Sequence, residues 1–132
     1  MTLGMITGLH NEISVFDIGL DGKTDADGLA VPTPSELVGK IMETMLEGCF
    51  TIGDEKLYPF LADLADSEGI FIEPSSCASF TGPLWIKEQE AYLIKHKLLD
   101  KMEESTHIFW ATGGNMVPRD EMNRYYEKGK LG

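Results

Sequence analysis

Two short segments hold residues whose types and spacing could do chemistry. In Trp110-Ala111-Thr112-Gly113-Gly114-Asn115, an apolar run leads into a threonine and two glycines before Pro118 opens a helix. Ligands gather at the carboxyl ends of strands in an open parallel sheet. Glycines there let the backbone approach a flat ring, and the Thr112 hydroxyl offers a hydrogen-bond partner. A plain turn that ends a strand fits the same residues. In the second segment, Glu73 directly follows the apolar run 69–72 and precedes Pro74-Ser75-Ser76-Cys77-Ala78-Ser79. A carboxylate at the end of a buried strand needs partners to stay ionised. Glu73 is therefore either paired structurally or part of a site, and the small residues after it would admit a ligand.

The acidic, glycine-rich loop 19–28 invites a third reading, which fails. Gly22-Lys23-Thr24 has the tail of a phosphate-binding loop, but the position for its first glycine is Asp17. Asp21, Asp25 and Asp27 would repel phosphate, and no bidentate Glu follows at the spacing of a calcium loop. His10, His96 and His107 share no metal-ligand spacing with one another or with Cys49 and Cys77, so no metal site is expected. The two cysteines read as buried thiols of a reducing compartment.

Eleven Lys and Arg stand against 22 Asp and Glu, giving a formal net charge of −11 among 132 residues. That balance repels nucleic acid and anionic membrane surfaces, so neither is expected as a partner. Lys87, Lys95, Lys97 and Lys101 alternate with acids, as on a solvated helix face. No apolar stretch is long enough to span a bilayer. The weakly apolar start is broken by Gly4 and Gly8 and lacks a basic leader, which makes a cytoplasmic location the expectation.

The runs 13–18, 69–72 and 106–111 read as strands, with 50–52 as a short fourth. The second and third are nearly continuous in apolar residues, which suits strands covered on both faces. Between them lie helical stripes. One is Leu37, Val38, Ile41, Met42 and Met45, capped by Ser35 and closed by Gly48. Another is Leu57, Phe60, Leu61 and Leu64, with Asp54 as cap, Gly69 after its end, and Pro59 either in the first turn or bending the helix. A longer helix spans about 83–102, and a last one starts near Pro118. Strands alternating with helices predict one α/β domain over 1–132, layered α-β-α, with a mostly parallel sheet and 106–111 as an interior strand.

Together these segments resemble a family. Gly8-Leu9-His10-Asn11-Glu12-Ile13-Ser14-Val15, Asp17-Ile18-Gly19-Leu20-Asp21-Gly22-Lys23-Thr24 and Ala26-Asp27-Gly28-Leu29-Ala30-Val31 look like D-serine dehydratase. So do Glu68-Gly69-Ile70 with Glu73-Pro74-Ser75, and Trp110-Ala111-Thr112-Gly113-Gly114, in matching order from Leu3 to the C-terminus. Each short motif also recurs across the wider fold-type II pyridoxal-phosphate enzymes. The resemblance implies their tryptophan synthase β-like fold and pyridoxal phosphate as cofactor. It places the Thr112 hydroxyl toward the pyridine nitrogen, which a neutral hydroxyl would leave unprotonated. It sets Glu73 near the ring and Gly28 close to cofactor and substrate, with Gly113, Gly114 and Asn115 shaping the turn around the nitrogen. Pro32-Thr33-Pro34-Ser35 departs from the family's Gly-Arg-Pro-Ser, and Pro59 is unexpected within its helix.

The family's Schiff-base lysine, phosphate cradle and cation ligands have no counterpart in these residues, and Lys23 lacks the lysine's context. The chain thus reads as the C-terminal portion of a longer catalytic chain that converts D-serine, or a similar β-hydroxy amino acid such as D-threonine, by α,β-elimination to pyruvate and ammonia. The portion by itself is expected to be inactive, to need the N-terminal part, and to self-associate. The other reading is a free-standing, non-catalytic α/β ligand-binding or regulatory module.

Overall fold

A computed structural model describes residues 2–131. The chain divides into two compact units, Met1–Thr51 and Ile52–Gly132.

In the first unit, helix α1 (Thr2–Thr7) is followed by three short 3-10 turns, His10–Glu12, Val15–Ile18 and Asp27–Leu29, and by α2 (Glu36–Glu43). Ser14 and Asp17 form a reciprocal capping box around the second turn, which locks 14–18 into a local coil. Ser35 caps α2 as expected, accepting from the Val38 N–H at 3.5 Å. The helix stops at Glu43, short of Gly48. Val15 N–H donates to the Pro32 carbonyl at 3.0 Å, tying the loop's two ends together.

The second unit is built on α3 (Leu57–Glu68) and α7 (Arg119–Leu131), which pack against each other. Leu57, Leu61, Ala62 and Ala65 of α3 are buried, as are Met122 and Tyr125 of α7. The Asp54–Lys56 turn leads into α3, and Pro59 falls in its first turn, where a missing N–H costs nothing. Gly69 ends the helix in the left-handed conformation that an αL cap requires, at φ 67°. Asp66 on α3 fastens the last helix, accepting from Tyr126 Oη at 2.6 Å and pairing with Lys130 Nζ at 2.7 Å. Between the two helices run α4 (Pro74–Cys77), a 3-10 turn Ala78–Phe80, α5 (Thr81–Glu88), α6 (Glu90–Lys95) and a 3-10 segment Leu99–Glu104. The expected long helix over 83–102 is therefore broken, at Gln89 and again at Lys97, whose φ is 56°.

The α/β expectation is overturned: every regular element among the described residues is helical, with no strand and no sheet. Run 13–18 is captured by the capping box, and 50–52, 69–72 and 106–111 are irregular. An apolar run becomes a strand only when a neighbour exchanges backbone hydrogen bonds with it in register. Runs 69–72 and 106–111 come together only where they end, through a bond from Glu73 N–H to the Gly113 carbonyl at 3.0 Å. That is one contact, not a ladder. The predicted interior strand is instead exposed, with Ile108 at 90% and Trp110 at 82% of their free surface, and Phe109 resting edge-on against Phe80 at 4.9 Å. Cys77 is buried, whereas Cys49 is exposed, contrary to expectation.

Candidate functional site

Helix α4 begins as its sequence dictates. Glu73 holds the extended cap conformation, and Pro74 supplies a preset φ at the first helical position. Ser76 N–H closes the turn onto the Glu73 carbonyl at 3.0 Å. This directs the Ser76 side chain inward, where the residue keeps 3% of its surface. Its hydroxyl oxygen accepts the backbone N–H of Thr112 at 2.9 Å and of Gly113 at 3.3 Å. It also lies 3.0 Å from Thr112 Oγ1, which donates to Glu73 Oε1 at 3.0 Å. The two segments singled out in the sequence, 39 residues apart at Glu73 and Thr112, thus meet in one hydrogen-bonded cluster.

The glycines are what let them meet. A Cβ at Gly113 would lie 2.6 Å from Glu73 Oε2, and one at Gly114 would lie 2.8 Å from Ile72 Cα and overlap the Phe71 carbonyl. At Gly114 the obstacle is backbone, so a side chain there would push the turn off residues 71 and 72, whereas at Gly113 it would displace the Glu73 carboxylate. Val117 N–H then closes the turn onto the Gly114 carbonyl at 3.0 Å.

An open cleft of about 610 Å³ lies against this cluster, lined among others by Ile70, Ile72, Glu73, Thr112, Gly113, Gly114, Asn115 and Val117. Its walls are largely apolar, with the Thr112 hydroxyl and the Glu73 carboxylate as the polar groups held in fixed geometry. Such a cleft suits the edge of a flat heteroaromatic ring whose single polar atom faces Thr112. Its described lining residues include no Lys, Arg or His, and Glu73 adds a carboxylate, so no cationic side chain there would balance a phosphate. The ring edge of pyridoxal phosphate fits these residues; its phosphate finds no counter-charge among them.

Cys77, beside Ser76 on α4, is fully buried, with its thiol 3.7 Å from the Glu73 carbonyl. Burial penalises the thiolate and pushes this thiol up to about 12, so it is a packing group, not a nucleophile.

Five of the six expected site residues, Glu73, Thr112, Gly113, Gly114 and Asn115, line the cleft of the second unit. Gly28 belongs to the first unit, where it sits exposed in the Asp27–Leu29 turn. Sequence reasoning missed Ser76. It was visible only as one of several small residues after Glu-Pro, and nothing in that string marks which hydroxyl faces inward.

No family model matches the chain. A protein named probable D-serine dehydratase from Bacillus cereus is 53% identical over 130 residues, covering 98% of this chain and 29% of the relative. Proteins of the same name from Bacillus thuringiensis and Bacillus anthracis are each 52% identical over 130 residues, with the same coverage. The chain therefore spans less than a third of the length of these relatives. Along nearly its whole length, it is similar to part of these proteins named probable D-serine dehydratase.

Proposed function

We propose that this chain is the C-terminal portion of a pyridoxal-phosphate-dependent D-serine dehydratase, and that it supplies the pyridine-nitrogen side of the cofactor site. The observation that carries this is the convergence of Thr112, Gly113 and Glu73 on Ser76 at the wall of an apolar cleft, in a chain 53% identical to a protein of that name. When bound, the cofactor supplies the electron sink through which the substrate's α-proton and β-hydroxyl are lost, giving pyruvate and ammonia. Thr112 meets the ring nitrogen, Glu73 holds Thr112 in place, and Gly113, Gly114 and Asn115 let the ring edge approach. Gly28 packs near cofactor and substrate. That last role rests on the resemblance of Ala26-Asp27-Gly28 alone.

The reaction's lysine and the phosphate-binding loop come, on this reading, from the rest of a longer chain, which is the partner of this one. The exposed Ile108, Trp110 and Met116 support self-association of the isolated chain, because apolar surface of this kind drives it. No helix among the described residues is long and apolar enough to cross a membrane.

The test is to mix the purified chain with pyridoxal phosphate and D-serine, reduce with borohydride, and look for pyruvate and modified lysines. The expected result is scattered labelling of surface lysines and no pyruvate. Stoichiometric labelling of one lysine together with pyruvate release would show that the chain holds a complete site.

A further inference from the structure

Residues 105–114 form no helix, turn or bend, and among the described residues 106–111 take part in no backbone hydrogen bond. The stretch is tethered instead by Phe109, edge-on against Phe80, and by the Thr112 N–H, held by Ser76 Oγ at 2.9 Å. Phe109 turns inward, whereas its neighbours Ile108 and Trp110 are almost fully exposed. That alternation is the period of a strand with one face docked and the other open. Between Ser105 and Pro118 there is no Asp, Glu, Lys or Arg, in a chain of net charge −11. Sheet edges are ordinarily protected from one another by charges, proline or a covering element, and 106–111 has neither charge nor proline.

We propose that 107–111 is a docking edge for a second copy of this chain, paired antiparallel with the same residues about a twofold axis at Phe109. The inference rests on the self-association proposed above, to which it gives a face and a geometry; it needs nothing from the cofactor reading. The register follows from residue order. With Phe109 opposite Phe109 of the second copy, Ile108 of each copy faces Trp110 of the other, and His107 faces Ala111. An aromatic ring against a β-branched side chain is a favoured cross-strand pair. The acids just before the segment, Glu103 and Glu104, then lie opposite Asn115 and Gly114. A parallel pairing in register would set each acid beside its own copy, which like charges oppose. Five residues a side make roughly 17 Å of strand and bury less than about 1,200 Å² in all, so the dimer is reversible and about micromolar or weaker. An isologous pair closes on itself, so association stops at two.

Sedimentation velocity on the 132-residue chain, from about 1 to 300 μM, reads the association. The expected result is a monomer–dimer equilibrium. Trp110→Lys weakens it at least about tenfold, because a charge then stands at the centre of the paired edge. Met116→Lys, equally exposed but outside the edge, leaves it within about twofold. Helical circular dichroism checks that each variant is folded, and Ile108→Lys takes the place of Trp110→Lys should that one lose helicity. The register is read by disulfide trapping in a Cys49→Ser background, which removes the exposed native thiol. Ile108→Cys and Trp110→Cys chains, mixed under mild oxidation, give the mixed disulfide beyond its statistical half, since only opposed positions bring the Cβ atoms to about 4 Å. A statistical mixture or an excess of symmetric disulfides, open-ended oligomers, or a dimer indifferent to the lysine variants overturns this interface and leaves self-association standing. A chain that stays monomeric over the whole range overturns both.

Discussion

Replacing Gly129 with alanine should destabilise the protein, although alanine is the better helix former. Gly129 lies inside α7, where exchange of glycine for alanine ordinarily gains at most about 1 kcal/mol. Here a Cβ would overlap the Tyr58 carbonyl oxygen and come within 2.8 Å of Ala62 Cβ. The first obstacle is backbone of α3, which cannot rotate aside as a side chain would. The two helices must part, and parting loosens Leu61, Ala62, Met122 and Tyr125 together, all of them buried. Overpacking of this kind costs about 1–3 kcal/mol, and the loss of close contact across a gap adds to it. Set against the propensity gain, the net loss is about 1–2 kcal/mol, roughly tenfold in the folding equilibrium. Urea unfolding followed by helical circular dichroism measures it as a lower midpoint at unchanged slope. A Gly129→Ala midpoint equal to or above that of the parent chain would refute the close approach of α3 and α7.

Leu61→Ala, at a fully buried position, should cost about 2–5 kcal/mol in the same assay. Hydrogen bonds from Lys130 and Tyr126 hold Asp66 below the usual carboxylate range, and the same contact raises Lys130. A depressed carboxylate contributes stability that is present above its unfolded value of about 4 and is lost as pH falls through the folded value. Lys130's share is present below its unfolded value and is lost as alkaline pH rises through the folded one. Asp66→Asn should therefore flatten part of both the acid and the alkaline limb of a stability profile, and unchanged limbs would show that the clasp contributes nothing. Iodoacetamide at neutral pH should modify exposed Cys49 and spare Cys77, whose thiol is buried and pushed up to about 12; mass spectrometry reads the two sites apart.

The local chemistry of the site was more legible in the sequence than the architecture. Glycines at 113 and 114 after Thr112, and a carboxylate before Pro74, carry their meaning in residue type and immediate order. The helix signals at Ser35, Pro59, Gly69 and Pro118 are equally local, and all four fall at or beside helix boundaries. The strands failed because a strand is defined by a neighbour. The run 106–111 shows an apolar pattern, but nothing in that pattern says what lies beside it, and Trp110 is exposed. The long helix failed for a different reason: its periodicity continues through Gln89 and Lys97, whose backbone angles break it. Ser76 was illegible because its importance lies in two backbone N–H groups 36 and 37 residues away.

The central claim is that these residues form the ring-nitrogen side of a D-serine dehydratase site. It is tested most directly by a chimera. The segment of the Bacillus cereus relative that this chain matches, 29% of its length, would be replaced by these residues. The chimera should purify with bound pyridoxal phosphate and release pyruvate from D-serine, and Thr112→Val within it should lose most of that rate while remaining folded. A folded chimera without cofactor or turnover, or one whose rate is indifferent to Thr112→Val, would contradict the account.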